Sequence, residues 1–361
     1  MQIRATIRRF HRKLHEVDQE FAVSDVLDCA VGCNALGTSP KVVEAANKYR
    51  WATLSTYPDT SYAALKNQIC RFWSDHAQLS PANIKVANGA AVILSRLNKL
   101  FIEPRTKSLG YAPQFKDFSE EVLILGGRHD MVLLDPLDGF KFSTERFIEA
   151  IDSNHSVVYL DNPNNPTGQY INLVDIENIV SVAASQDIVV ILDEAYGDYV
   201  AESGSAVNLL DRYPNLVVTR TFSKGMGIAQ FRVGYGIMST ELARYYDRVD
   251  LPFQISSIAA FLAGESLSDH GFVRRNRAQL AGENKALTEG LVERGYTVAE
   301  THETCPIFLL GHRDREIDLR ERLLGRGIRT ISGADFDNLG SQYVRVNTPA
   351  SAEEFLARLD A

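Results

Sequence analysis

Short apolar runs without polar alternation recur between residues 84 and 237. Each ends in a turn or polar residue: KVANG (85–89), EVLILGG (121–127), VVYLDNP (157–163), IVVILDE (188–194), LVVTRTF (216–222) and RVGYGI (232–237). Runs of this length predict strands buried on both faces. Helical periodicity fills the spaces between them, at 91–102, 144–151, 173–184 and 239–249. Strands and amphipathic helices in alternation predict an α/β unit with a mostly parallel sheet between helices. After about residue 265 the texture changes: a charged helical stretch (271–294) leads into TVAE, PIFLLG, GIRTI and YVRVNT, which predicts a smaller α+β unit. The first 40–50 residues lack the strand–helix alternation and are expected to join that second unit. The division expected is a large domain over 46–268 and a discontinuous small domain over 1–45 and 269–361. Ile3, Ile7, Phe10 and Leu14 recur at helical spacing, so the basic N-terminus is expected to be an amphipathic helix lying on the body or on a partner subunit.

Composition changes this picture little. Apolar residues are 45% and charged residues 23% of the 361, an ordinary balance for a soluble globular chain. A formal net charge of −8 argues against a nucleic-acid partner, which calls for a basic face. No apolar stretch reaches the roughly 20 residues that span a bilayer, and the N-terminus lacks the apolar core of a secretory signal. Cys29, Cys33, Cys70 and Cys305 make no disulfide framework, and no second Cys or His pair at metal-ligand spacing accompanies Cys29 and Cys33. Buried, reduced thiols in a cytoplasmic protein, with no metal, are the expectation.

The chemistry concentrates in three strings. In TFSKGMGIAQFRVGYG (221–236) a strand delivers the hydroxyls of Thr221 and Ser223, then Lys224, a glycine-rich turn and Arg232. An amine flanked by hydroxyls and a guanidinium suits an aldehyde cofactor that carries a phosphate; alone, the string also describes a surface lysine in a flexible turn. NPNNPTG (162–168) closes an earlier strand and presents Asn165 in a turn fixed by Pro166 and Gly168. IVVILDEAY places Asp193 at the carboxyl end of a buried strand, where ligands sit in open α/β sheets, with Tyr196 three residues on. A strand-end Asp capping a helix is the alternative.

In this order and spacing the three strings resemble the class I/II aminotransferases, fold type I enzymes dependent on pyridoxal 5′-phosphate (PLP), and most of all their histidinol-phosphate aminotransferase branch, over about residues 32–345. The resemblance implies an aspartate-aminotransferase-like fold, transamination between an α-amino acid and a 2-oxo acid, and a homodimer. It implies that Lys224 holds PLP as a Schiff base and shuttles the proton, and that Asp193 pairs with the pyridine nitrogen. Asn165 and Tyr196 would reach the phenolic oxygen, while Thr221, Ser223, Arg232 and the helix opening after Asn88 at Gly89, Ala90 and Ala91 would hold the phosphate. Tyr111 would stack on the ring, Tyr57 would reach the neighbouring subunit's phosphate, and Arg345 would grip the substrate carboxylate beside Asn165, Gly32 and Leu36.

The chain departs from that branch where the branch contacts its substrate. GCNALGTSP puts Leu36 where relatives carry a tyrosine, Ala91 and Val92 stand in place of two acidic residues, and Ile331 stands where an arginine meets the substrate phosphate, with Arg329 two residues earlier. A substrate other than histidinol phosphate is expected. Besides transamination, the same residues fit a PLP-dependent decarboxylase, lyase or amino-acid cyclase. A non-catalytic PLP-binding regulator would need an appended DNA-binding domain, of which the sequence has no sign.

Overall fold

In a computed structural model, which describes residues 3–9, 26–51 and 54–361, the chain builds one large sheet and one smaller one. The large sheet has seven strands: β1 (Ile84–Ala87), β2 (Lys107–Ala112), β3 (Arg128–Leu133), β4 (His155–Asp161), β5 (Val189–Asp193), β6 (Leu216–Thr221) and β7 (Gly234–Ile237). Their spatial order is β1-β7-β6-β5-β4-β2-β3, and only β7 runs antiparallel to its neighbours. The inner strands are buried along almost their whole length, the result of covering both faces with helices. Helices α1 (Ala90–Phe101) and α2 (Lys116–Leu125) cover one face, where Ile93, Leu97, Phe118 and Val122 pack on Tyr159, Ile191 and Val217. Helix α3 (Leu173–Ala184) covers the other, with Ile176, Ile179 and Val180 against Leu160, Val190 and Leu192.

EVLILGG is not a strand. Its apolar residues form the end of α2, where Phe118 and Val122, four residues apart, are buried and Gly126 terminates the helix at φ +95. The strands on either side of it, β2 and β3, escaped the sequence reading because KSLGYA is short of β-branched residues and RHDMVL is a partly exposed edge strand.

The C-terminal part forms a four-stranded antiparallel sheet around Ile307–Gly311 and Tyr343–Asn347, packed on the helix His270–Glu293. Leu27–Asp28 pairs in parallel with Ile328–Arg329, and Cys29 packs among Leu291, Phe308 and Val346. The helix Pro40–Asn47 runs through the expected boundary at 45/46, with Val42 in the core of the large sheet. That stretch therefore packs with the large unit. Near the N-terminus the structure contains a helix at Ala5–Arg9, with Ile3 and Ile7 exposed on the single chain; Phe10 and Leu14 lie outside the described residues.

The two units meet at the loop after β4. His302 N donates to Gly168 O at 3.0 Å, and Thr301 Oγ1 donates to Thr167 O at 2.6 Å. Gly168 has φ +74, and a Cβ built there would stand 2.0 Å from Ile307 O. Gly168→Ala is expected to cost about 2–5 kcal/mol, from the left-handed backbone and the forced shift of a packed strand together. Denaturant melts would measure it, and an unchanged midpoint would refute this account of the junction.

Candidate active site

Parallel strands in register bring their carboxyl ends to one edge. Asp161, Asp193 and Thr219 are aligned neighbours on β4, β5 and β6, while Thr221 at the end of β6 is aligned with Gly234 and through it with Ala87. The turn after β6 carries Lys224. Its Nζ donates to Gly32 O at 2.7 Å and lies 5.2 Å from the centroid of the Tyr196 ring. A Cβ on Gly32 would stand 2.5 Å from Tyr196 Oη and 2.8 Å from Lys224 Nζ, so this residue is glycine because three groups share one place. Tyr196 Oη is buried without a hydrogen-bond partner among the described residues. Residues 32–38 are tied to the lysine turn: Asn34 Nδ2 donates to Gly225 O at 3.1 Å and Thr38 Oγ1 to Gly227 O at 2.6 Å. Leu36 in this loop is half-buried. Cys33 is exposed, contrary to the expectation of buried thiols throughout.

Beside the turn, hydroxyls and a guanidinium converge on a helix start. Thr221 Oγ1 and Ser223 Oγ are 3.0 Å apart, and Arg232 Nη1 donates to Ser223 Oγ at 3.1 Å. Gly89, at φ +84, precedes α1, and a Cβ there would stand 2.8 Å from Arg232 Nη2. The free N–H groups of Ala90 and Ala91 and the helix dipole add to the positive charge of Arg232, an arrangement that binds a phosphate-sized anion.

Asp193 is 3% exposed, with Thr219 Oγ1 donating to its Oδ1 at 2.8 Å and Tyr159 Oη to its Oδ2 at 3.4 Å. Burial pushes its carboxyl up to about 7, against the opposing pull of the Thr219 hydroxyl. Neither Thr219 nor Tyr159 was marked by the sequence reading, since each becomes a partner only through strand register.

Arg345, buried on the strand Tyr343–Asn347, donates from Nη1 to Asn165 Oδ1 at 3.2 Å and from Nη2 to Ala30 O. With Oδ1 so engaged, Asn165 keeps its amide NH₂ as the donor for a ligand. Tyr111 is not at the site surface. It lies in the core edge-on to Phe142 and Phe147, at centroid distances of 5.2 and 6.4 Å, and its hydroxyl donates to Asp161 Oδ1 at 2.8 Å. The half-buried aromatic ring at the strand-end rim is Phe115, whose backbone N–H points at Asp161 Oδ2, 3.3 Å away. Spacing alone did not separate two aromatic residues four apart. Tyr57 stands apart from the other candidates, 81% exposed and paired with Phe253 at 4.6 Å. Arg329 makes a two-pronged ion pair with Asp28, and Ile331 is buried beside Ala30.

The family model for aminotransferase class I and II matches residues 24–359. The chain belongs to the class I and II aminotransferases. This aminotransferase is 32% identical to the histidinol-phosphate aminotransferase of Geobacillus thermodenitrificans (strain NG80-2) over 345 residues, which are 89% of this chain and 86% of that protein. Over 372 residues, 99% of each chain, it is 31% identical to the histidinol-phosphate aminotransferase of Bacillus velezensis. Its fold is that of the Sinorhizobium meliloti histidinol-phosphate aminotransferase in complex with pyridoxal-5′-phosphate, at a TM-score of 0.86 and 22% identity over 99% of this chain and 96% of that one. A Thermus thermophilus aspartate aminotransferase double mutant gives a TM-score of 0.87 at 20% identity, covering 100% and 98% of the two chains. The aminotransferase is thus a PLP enzyme of fold type I, and its reaction is transamination. Among its described residues no helix is long and apolar enough to cross a membrane.

The Asp193 environment predicts a pH effect on the cofactor-free protein. A carboxyl raised from 3.8 to about 7 by folding favours the proton-bound native state, so its contribution to stability is full at low pH and falls as pH rises from about 4 to about 7. The melting temperature of the cofactor-free protein should show this loss, and Asp193→Asn should remove it. An identical slope in the variant would exclude Asp193 as its source.

Proposed function

We propose that the aminotransferase acts on an α-amino acid whose side chain carries no phosphate, with Lys224 as the residue that bonds the cofactor and moves the substrate proton. The observation that carries this reading is Lys224 Nζ on Gly32 O, beside the unpartnered Tyr196 hydroxyl. The residues fit PLP: an amine, a buried carboxylate without a neutralising cation among the described residues, a phenol without a partner among them, and an anion cradle with space left by Gly89. PLP, when bound, supplies an electrophilic carbon and a ring that accepts electron density from the substrate Cα. Asp193 would hold a proton at the ring nitrogen. Tyr196 Oη and the Asn165 amide would donate to the phenolic oxygen, and Phe115, rather than Tyr111, would cover the ring. Thr221, Ser223, Arg232 and the N–H groups of Ala90 and Ala91 would hold the phosphate.

Lys224 would hold the cofactor through its amine, and the same amine would take up and return the proton at the substrate Cα. Arg345 binds the α-carboxylate through its guanidinium fork, oriented by Asn165 and Ala30. We also propose a homodimer in which Tyr57, exposed on the single chain, reaches the partner's phosphate, and a division into a large and a small domain. Reduction of the PLP-loaded protein with borohydride, followed by peptide mapping, should label Lys224, and Lys224→Ala should abolish both label and turnover. A label on another lysine would overturn the assignment.

The substrate class rests on Leu36, Ile331 and the Asp28–Arg329 pair. Leu36 is half-buried, Ile331 is buried beside Ala30, and Arg329 is already ion-paired with Asp28, so none of the three offers an unneutralised cation to a phosphate. In a panel of amino donors, at least one free α-amino acid is expected to exceed histidinol phosphate in kcat/KM. Turnover of histidinol phosphate at or above about 10⁴ M⁻¹s⁻¹, ahead of every free amino acid, would reverse that conclusion.

A further inference from the structure

Asp161 is a buried carboxylate to which no step above gives a role. Five donors point at it. Tyr111 Oη and Gln114 Nε2 reach Oδ1 at 2.8 and 3.2 Å, Phe115 N and Asn165 N reach Oδ2 at 3.3 and 2.8 Å, and Asn164 Nδ2 lies 3.1 and 3.3 Å from the two oxygens. Only a carboxylate has acceptor capacity on both oxygens for such a set; an amide in its place would turn an NH₂ toward donors on one side. The two backbone donors belong to different loops. One loop, following β2, carries Phe115; the other, following β4, carries Asn165. Asn164 joins them again: its Nδ2 donates to Pro113 O at 3.2 Å, and its Oδ1 accepts from Thr167 N at 3.0 Å and Thr167 Oγ1 at 2.6 Å.

We propose that Asp161 is a positioning residue that clamps these two loops together and so fixes, with one side chain, the ring-stacking Phe115 and the phenolic-oxygen donor Asn165. Its register places it one strand from Asp193. A second carboxylate there adds negative potential beside the ring nitrogen, favouring the same protonated state that Asp193 holds. Burial in low dielectric makes the clamp effective, because hydrogen bonds to an ionised group are about twice as strong as neutral ones.

This inference rests on the assignment of Lys224, Asn165 and Asp193 to the cofactor site, and the test separates the two. Wild-type protein, Asp161→Asn and Tyr111→Phe are loaded with PLP, and the cofactor dissociation constant and the visible circular dichroism of the bound cofactor are measured. Asp161→Asn should raise the dissociation constant at least ~10-fold, the effect of about 1.4 kcal/mol, and should at least halve the visible dichroism while far-ultraviolet dichroism is kept. Tyr111→Phe retains its ring and loses only the hydroxyl that reaches Asp161 Oδ1 at 2.8 Å and Asp161 O at 2.9 Å, so it should move both quantities the same way by a few-fold. Unchanged values in a folded Asp161→Asn variant overturn the inference. If that variant does not fold, unchanged values in Tyr111→Phe overturn it. A wild-type borohydride label away from Lys224 instead removes the assignment beneath it.

Discussion

Two stretches of backbone nearly two hundred residues apart in sequence touch at the centre of this molecule, and the site depends on that contact. A Cβ on Gly227 would lie 2.2 Å from Gly37 O, and one on Gly32 would meet both Lys224 and Tyr196. The N-terminal loop can therefore lie flat on the lysine turn only where side chains are missing. Once there, it supplies the carbonyl that holds Lys224 and, two residues earlier, the carbonyl of Ala30 that receives Arg345. The amine and the guanidinium proposed for cofactor and substrate are thus set relative to each other by one loop. This is an economical way to align groups carried by separate sheets.

The electrostatic design follows from the same edge. A buried Asp193 is costly as an anion when no cation neutralises it, and burial raises its carboxyl accordingly. A cationic group brought beside that carboxylate would relieve the cost. Burial also raises the carboxyl of Asp161, its neighbour in register, but there the hydrogen bonds of five surrounding donors oppose it. Two carboxylates one strand apart are consequently held by different means, one by five donors and one by the hydroxyls of Thr219 and Tyr159.

Much of this was legible in the sequence because it is encoded locally. Continuous apolar runs gave β4, β5 and β6, and TFSK, NPNNPTG and DEAY fall at strand ends, where the fold gathers its chemistry. What escaped was encoded by register and packing. Thr219 and Tyr159 become partners of Asp193 only through strand alignment, and Tyr111, expected to stack on the ring, is instead buried with its hydroxyl on Asp161. The EVLILGG run misled because the apolar end of an amphipathic helix, read over seven residues, has the composition of a strand. Asp161 did leave a signal: an acidic residue closing an apolar strand just before NPNNPTG. The meaning of that signal depended on donors more than 40 residues away.

The Asp28–Arg329 pair has an evolutionary consequence. The charge offered near Ala30 is controlled from residue 28 as much as from residue 329, because the carboxylate cancels the guanidinium wherever Leu27–Asp28 and Ile328–Arg329 stay paired. Substitution at residue 28 would unmask a positive charge without any change to the arginine, whereas loss of the arginine alone would leave an unpaired carboxylate there. The two positions are therefore epistatic, and the order in which they change decides whether a lineage passes through a cationic or an anionic intermediate.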